Sequence, residues 1–98
     1  MKVYHRTFAA SAILANGFRD GKGTYLTDRT WVGVWLSNIP LGDDEGATGD
    51  TILVLEIPAR IFRCYEWVEE GKGYRESLIP TAIVNRYGPP RVLETDTP

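Results

Sequence analysis

One cysteine, one histidine and one methionine in 98 residues leave little room for several common chemistries. Cys64, being alone, has no partner for an intramolecular disulfide, and a reducing cytoplasm is the expected compartment. Tetrahedral zinc takes three or four ligands, mostly nitrogen and sulfur, so a single Cys and a single His argue against a zinc site and no metal is expected. Long apolar runs are also missing. None approaches the roughly 18 residues of a membrane span or follows the pattern of a secretory signal, so no membrane partner is expected. Eleven Lys and Arg against thirteen Asp and Glu give a net charge of −2, which provides no basic field for a phosphate backbone. The acidic cluster Asp43, Asp44, Glu45 lacks the spacing of a calcium loop and reads as a solvated turn.

The composition, 43% hydrophobic with ten Gly, six Pro, three Trp, five Tyr and three Phe, describes a compact folded protein rich in turns rather than a helical bundle or a disordered tail. At this length one core is the limit, so residues 1–98 are expected to form a single domain. Met1 to Arg6 reads as a first strand. Thr7 then offers an oxygen to cap a short helix from Phe8 to Asn16, where Ala9 and Ile13, and Ala10 and Leu14, recur at helical spacing before Gly17. Phe18 returns to the core. "RDGKG" is turn chemistry ahead of a strand "TYLT", and "WVGVWL", residues 31–36, fits either strand or helix, because Trp31 and Trp35 stand four apart. "PLGDDEGATGD" is a loop, and "TILVLEI" is the clearest buried strand, closed by Pro58. "ARIFRCYEWV" reads as a helical turn passing into a strand. "EEGKG" is a second hairpin turn before the strand "YRESLI", "TAIVN" a helical turn after Pro80, and "RVL" a last short strand.

Three chemically capable residues fall at strand edges: His5 in "YHRT", Tyr25 in "GKGTYL" and Glu76 in "YRESLI". Strand ends are where a rigid scaffold aims side chains into a shared cleft. Glu56 and Glu66 are the competing carboxylates. Glu56 interrupts an apolar run, either as a buried group with a shifted pKa or as the outward face of an edge strand. Arg75 points away from Glu76 if their strand is regular, and Cys64 has no activating neighbour in sequence.

These blocks resemble the ADP-ribosyltransferase superfamily, in the His-Tyr-Glu branch that includes diphtheria toxin and the poly(ADP-ribose) polymerases. The resemblance is carried by His5 and Thr7 followed by "AILANGFR", by "GKGTYL", and by Glu76 in "YRESLI", in that order along most of the chain. It implies an α+β fold of two small, strongly bent β-sheets with a cleft and one or two short helices. It further implies an enzyme that takes NAD⁺ as substrate, cleaves its bond to nicotinamide and transfers ADP-ribose to an acceptor, which the sequence does not identify as protein, nucleic acid or small molecule. A toxin or a small-molecule modifier fits that description.

The same resemblance assigns roles. Glu76 holds the ribose 2′-hydroxyl and opposes the positive charge that develops on the sugar; Tyr25 stacks on the cationic nicotinamide ring; His5 fixes ribose or adenosine hydroxyls. Arg6 and Thr7, next to His5, and Trp31 and Trp35, one of which supplies a second stacking ring, complete the expected substrate-binding set. Two positions depart from the family pattern. Arg6 stands where a small residue is usual, and either points away from the cleft, binds a diphosphate or serves a different acceptor; Gly33 stands roughly where the polymerases carry a serine. The alternatives are an RNA 2′-phosphotransferase-like enzyme, against which the scarcity of basic cleft residues counts, and a non-catalytic module that keeps the fold to bind a nucleotide or a protein.

Overall fold

The computed structural model describes residues 1–19, 21–24, 30–42 and 47–93, the side chains of 21–24 and 30–32 excepted. In chain order the elements are β1 (Lys2–Thr7), α1 (Ala10–Asn16), β2 (Gly21–Thr24), β3 (Thr30–Ser37), β4 (Thr51–Glu56), α2 (Ala59–Cys64), β5 (Glu66–Trp67), β6 (Glu76–Ile79), α3 (Thr81–Val84) and β7 (Arg91–Val92). The α+β class is as expected, with three short helices where one or two were read. The expected pair of small sheets takes another form. Six strands follow one antiparallel path, β5-β6-β3-β1-β4-β7, and β2 is attached only through β3.

Strand β3 settles the ambiguity of "WVGVWL" in favour of a strand, because both halves find ladder partners that a helix would forgo. Residues 30–33 pair with β2 and residues 34–37 with β6. Gly33 sits at the changeover. A Cβ there would stand 3.0 Å from the Ile79 carbonyl oxygen, so a side chain at this position requires the β6 backbone to give way by a few tenths of an ångström.

The core forms on one face of the sheet. Alternation along β1 and β4 sends Val3, Leu53 and Leu55 to that face, where Val34 and Leu36 of β3 and Ile79 of β6 join them. Each helix covers it through one or two buried side chains: Ile13 from α1, with Phe18 just beyond, Phe62 from α2 and Val84 from α3. Burying each such side chain contributes about 1.5–3 kcal/mol, which is why helices of four to seven residues, too short to persist alone, are held. Pro58 and Pro80 adopt extended backbone angles at the starts of α2 and α3, so each proline ends its strand and aims the helix that follows.

The opposite face carries Tyr4, Arg6, Trp35, Ser37, Val54 and Glu76 and is covered in part by the long β3–β4 connection, whose Leu41 is buried. That connection is fastened by Arg6, which donates from Nε to the Leu41 carbonyl at 2.7 Å and from Nη1 to the Gly49 carbonyl at 3.1 Å.

Candidate functional site

The sheet opens at β1. This strand pairs with β4 along its whole length, from Lys2↔Glu56 to Thr7↔Thr51, but with β3 only at Tyr4↔Ser37. Past that point the imidazole of His5 takes over from the ladder. Its Nδ1 lies 2.8 Å from the Trp35 carbonyl oxygen, and since a carbonyl only accepts, Nδ1 carries the proton. Burial pushes the His5 pKa below its ordinary value, with the hydrogen bond to Trp35 acting in the opposite direction. The ring is therefore neutral at pH 7 and offers Nε2 as an acceptor, a state fit to receive a hydroxyl.

His5 lines two cavities. The larger, about 300 Å³, lies on the core face between His5, Thr7, Ile13, Phe18, Val34 and Trp35, with Arg19 the one charged side chain among its described lining residues. Its size is at the lower end of small-ligand pockets, and its walls are mostly apolar with a few polar groups, as such pockets require. Phe18 meets His5 edge-on, with ring centroids 5.6 Å apart and planes at 77°. Thr7 Oγ1 accepts the N–H of Ala9 at 2.9 Å, so the threonine braces the approach to α1 from two residues before the cap position, which Ala9 occupies.

The smaller cavity, about 50 Å³, lies among Tyr4, His5, Arg6, Trp35, Ser37 and Glu76, with Leu41 and Ala47 of the β3–β4 connection also on its wall. Glu76 has a side chain only 16% exposed, and its carboxylate stands 3.9 Å from Lys72 Nζ. Its backbone is held on both sides, opposite Ser37 on β3 and opposite Trp67 on β5. Just before it, Asn38 and Arg75 exchange two hydrogen bonds, Asn38 N to Arg75 O at 3.1 Å and Arg75 N to Asn38 Oδ1 at 2.8 Å.

Of the residues expected in the site, His5, Thr7 and Trp35 line the larger cavity, and His5, Arg6, Trp35 and Glu76 line the smaller one. Arg6 directs two of its donors to backbone carbonyls of the connection. The Trp35 indole packs edge-to-face on Trp67, with centroids 5.7 Å apart. Tyr25, and the acidic cluster at Asp43, Asp44 and Glu45, lie outside the described residues, and the side chain of Trp31 does too.

The competing carboxylates separate clearly. Glu66 receives Arg75 on both oxygens, at 2.7 and 2.8 Å, and that hydrogen-bonded guanidinium holds its carboxyl below the usual range, so it is engaged in a surface ion pair. Glu56 is exposed opposite Lys2 rather than buried, and its strand lies between β1 and β7. Cys64 is exposed. Phe18 and Arg19 close "AILANGFR", and it is their place on the cavity wall that sequence reasoning missed; a Phe straight after a helix-ending Gly was the available signal. For Asn85, whose amide bonds the Phe18 backbone, no local signal exists.

Among the described residues no cluster of His, Cys, Asp and Glu is placed to hold a metal, and no helix is long and apolar enough to cross a membrane. Comparison of the chain with protein-family models, with curated proteins and with solved structures finds no match in any of the three.

Proposed function

We propose that this domain is an NAD⁺-dependent ADP-ribosyltransferase-like enzyme, with the nicotinamide-ribose portion of NAD⁺ seated beside His5. The observation that carries this reading is the meeting of a neutral imidazole, a half-buried carboxylate and a tryptophan where β1 and β3 separate. In the reaction the bond between ribose C1′ and the nicotinamide nitrogen breaks, its electron pair passing to the ring, which leaves neutral. A nucleophile on the acceptor, or water, then bonds to C1′ and gives up its proton. Since the leaving group needs no protonation, the chief demand is charge opposite an electron-poor sugar, which Glu76 supplies, and hydroxyl positioning, which suits Nε2 of His5.

The rival reading as a non-catalytic nucleotide-binding module has one observation in its favour: Glu76 lines the smaller cavity and not the larger. Titration with NAD⁺ while free nicotinamide is followed separates the two. Binding with nicotinamide release supports the enzyme; binding without release supports the module; neither binding nor release removes NAD⁺ from both.

A further inference from the structure

Asn85 holds one wall of the larger cavity from 67 residues away. Its Oδ1 accepts the Phe18 N–H at 2.9 Å and its Nδ2 donates to the Phe18 carbonyl at 3.0 Å, so a single side chain satisfies both backbone polar groups of Phe18. Because an N–H only donates and a carbonyl only accepts, these partners fix which way the amide points. The amide itself is well anchored. The Asn85 N–H bonds the Thr81 carbonyl at 2.9 Å at the end of α3, and the preceding Val84 is fully buried.

On the receiving side, α1 ends at Gly17 with φ of +84°, and a Cβ there would stand 3.1 Å from Asn85 Oδ1, so the glycine and the amide pack directly. Phe18 follows, 4% exposed, with its ring against His5. A chain of contacts thus runs from α3 through the Phe18 backbone to the imidazole.

We propose that Asn85 is a positioning residue of the ligand site: its amide acts as a one-residue strand partner that sets Phe18 against His5 and fixes the shape of the larger cavity. Only an amide of this reach serves both bonds. Alanine leaves the Phe18 N–H and carbonyl without their partner, and aspartate keeps the first bond while setting a charged oxygen against the carbonyl. The identity of the ligand rests on the NAD⁺ reading above; the effect on His5 does not.

The test compares wild type, Asn85→Ala and Asn85→Asp. His5 is the only histidine, so its ring protons give an unambiguous NMR titration without ligand. The charged groups facing it, Arg19 on the larger cavity and Arg6 and Glu76 on the smaller, are unchanged in all three proteins. Asn85→Ala is expected to move the His5 pKa up toward the ordinary value of about 6.5, as Phe18 loosens and water reaches the ring. The dissociation constant for NAD⁺ is expected to rise about three- to tenfold. Asn85→Asp keeps the volume and carries the test should the alanine variant not fold; its readouts are the same loss of affinity and a reduced ring-current shift from Phe18 on the His5 protons. A folded variant with unaltered His5 signals and unaltered affinity, showing only a lower Tm, overturns the proposal. If wild type does not bind NAD⁺, the ligand reading fails while the His5 titration still decides the positioning role.

Discussion

The two cavities that His5 lines differ in almost every respect. The larger is mostly apolar, with a neutral imidazole and one arginine; the smaller gathers a carboxylate, a guanidinium and a tyrosine around little volume. The contrast follows from strand geometry, since consecutive residues of β1 point to opposite faces, so that His5 belongs with the core and Arg6 with the outer surface. A fully paired sheet would keep the two environments apart. Here β1 and β3 share a single register pair, and His5, the residue just past it, lines both cavities.

The largest effect that tests this division is expected from Glu76→Gln, which keeps volume and hydrogen-bonding capacity and deletes the charge. Nicotinamide release is predicted to slow by about 10²-fold or more, with NAD⁺ affinity nearly unchanged, because the charge opposes what develops only as the bond breaks. Glu56→Gln and Glu66→Gln serve as controls; if either abolishes release while Glu76→Gln retains it, the carboxylate has been misassigned. Next comes Tyr25→Ala, predicted to weaken NAD⁺ binding by about 0.5–2 kcal/mol with Tyr25→Phe mild, as ring stacking demands. Equal affinity in a folded alanine variant assigns Tyr25 to the scaffold.

Arg6→Ala sharpens the comparison from the other side. Losing the two bonds to Leu41 and Gly49 is predicted to lower stability by about 1–3 kcal/mol, read as a drop in Tm, while NAD⁺ affinity per folded molecule stays within about twofold. A large loss of affinity with an unchanged Tm would instead mean that the guanidinium holds the diphosphate. The smallest effect is the pH dependence set by His5. Its folded pKa lies below the unfolded value of about 6.5, so on acidification the unfolded chain takes up the proton first. The stability contributed by the neutral ring is complete above about pH 6.5 and declines as pH falls through the folded pKa. His5→Phe, which cannot titrate, is expected to flatten that segment of a Tm-against-pH curve, and an unaltered curve would show that His5 is not its source.

Local chemistry made much of the fold legible. "TILVLE" is a strand because its β-branched and apolar residues are buried toward both faces, and Pro58 and Pro80 mark helix starts because their fixed backbone angle leaves few continuations. Gly17 marks the end of α1 for the converse reason, its freedom to take a positive φ. Where the reading slipped, the missing information was long-range. "WVGVWL" fits helix and strand alike until its ladder partners are in place, on β2 upstream and on β6 about 41 to 45 residues downstream.

The site divides the same way. Residue types and their place at strand edges singled out His5, Tyr25 and Glu76, because the hydrogen-bonding and charge character of a side chain is a property of the residue itself, while Arg6, Thr7, Trp31 and Trp35 were added only by the resemblance. Which of them share a cavity was decided by pairing: Glu76 sits beside Arg6 and Trp35 because β6 and β1 both flank β3, and His5 meets them because its ladder with β3 ends after one register pair. The partners of Arg6 were likewise set only when the β3–β4 connection brought the Leu41 and Gly49 carbonyls to its guanidinium, and those of Asn85 only when α3 came to rest beside the end of α1. Hydrogen bonds act over about 3 Å, so no reading along the chain can place partners that lie dozens of residues apart until the sheet has folded and brought them together.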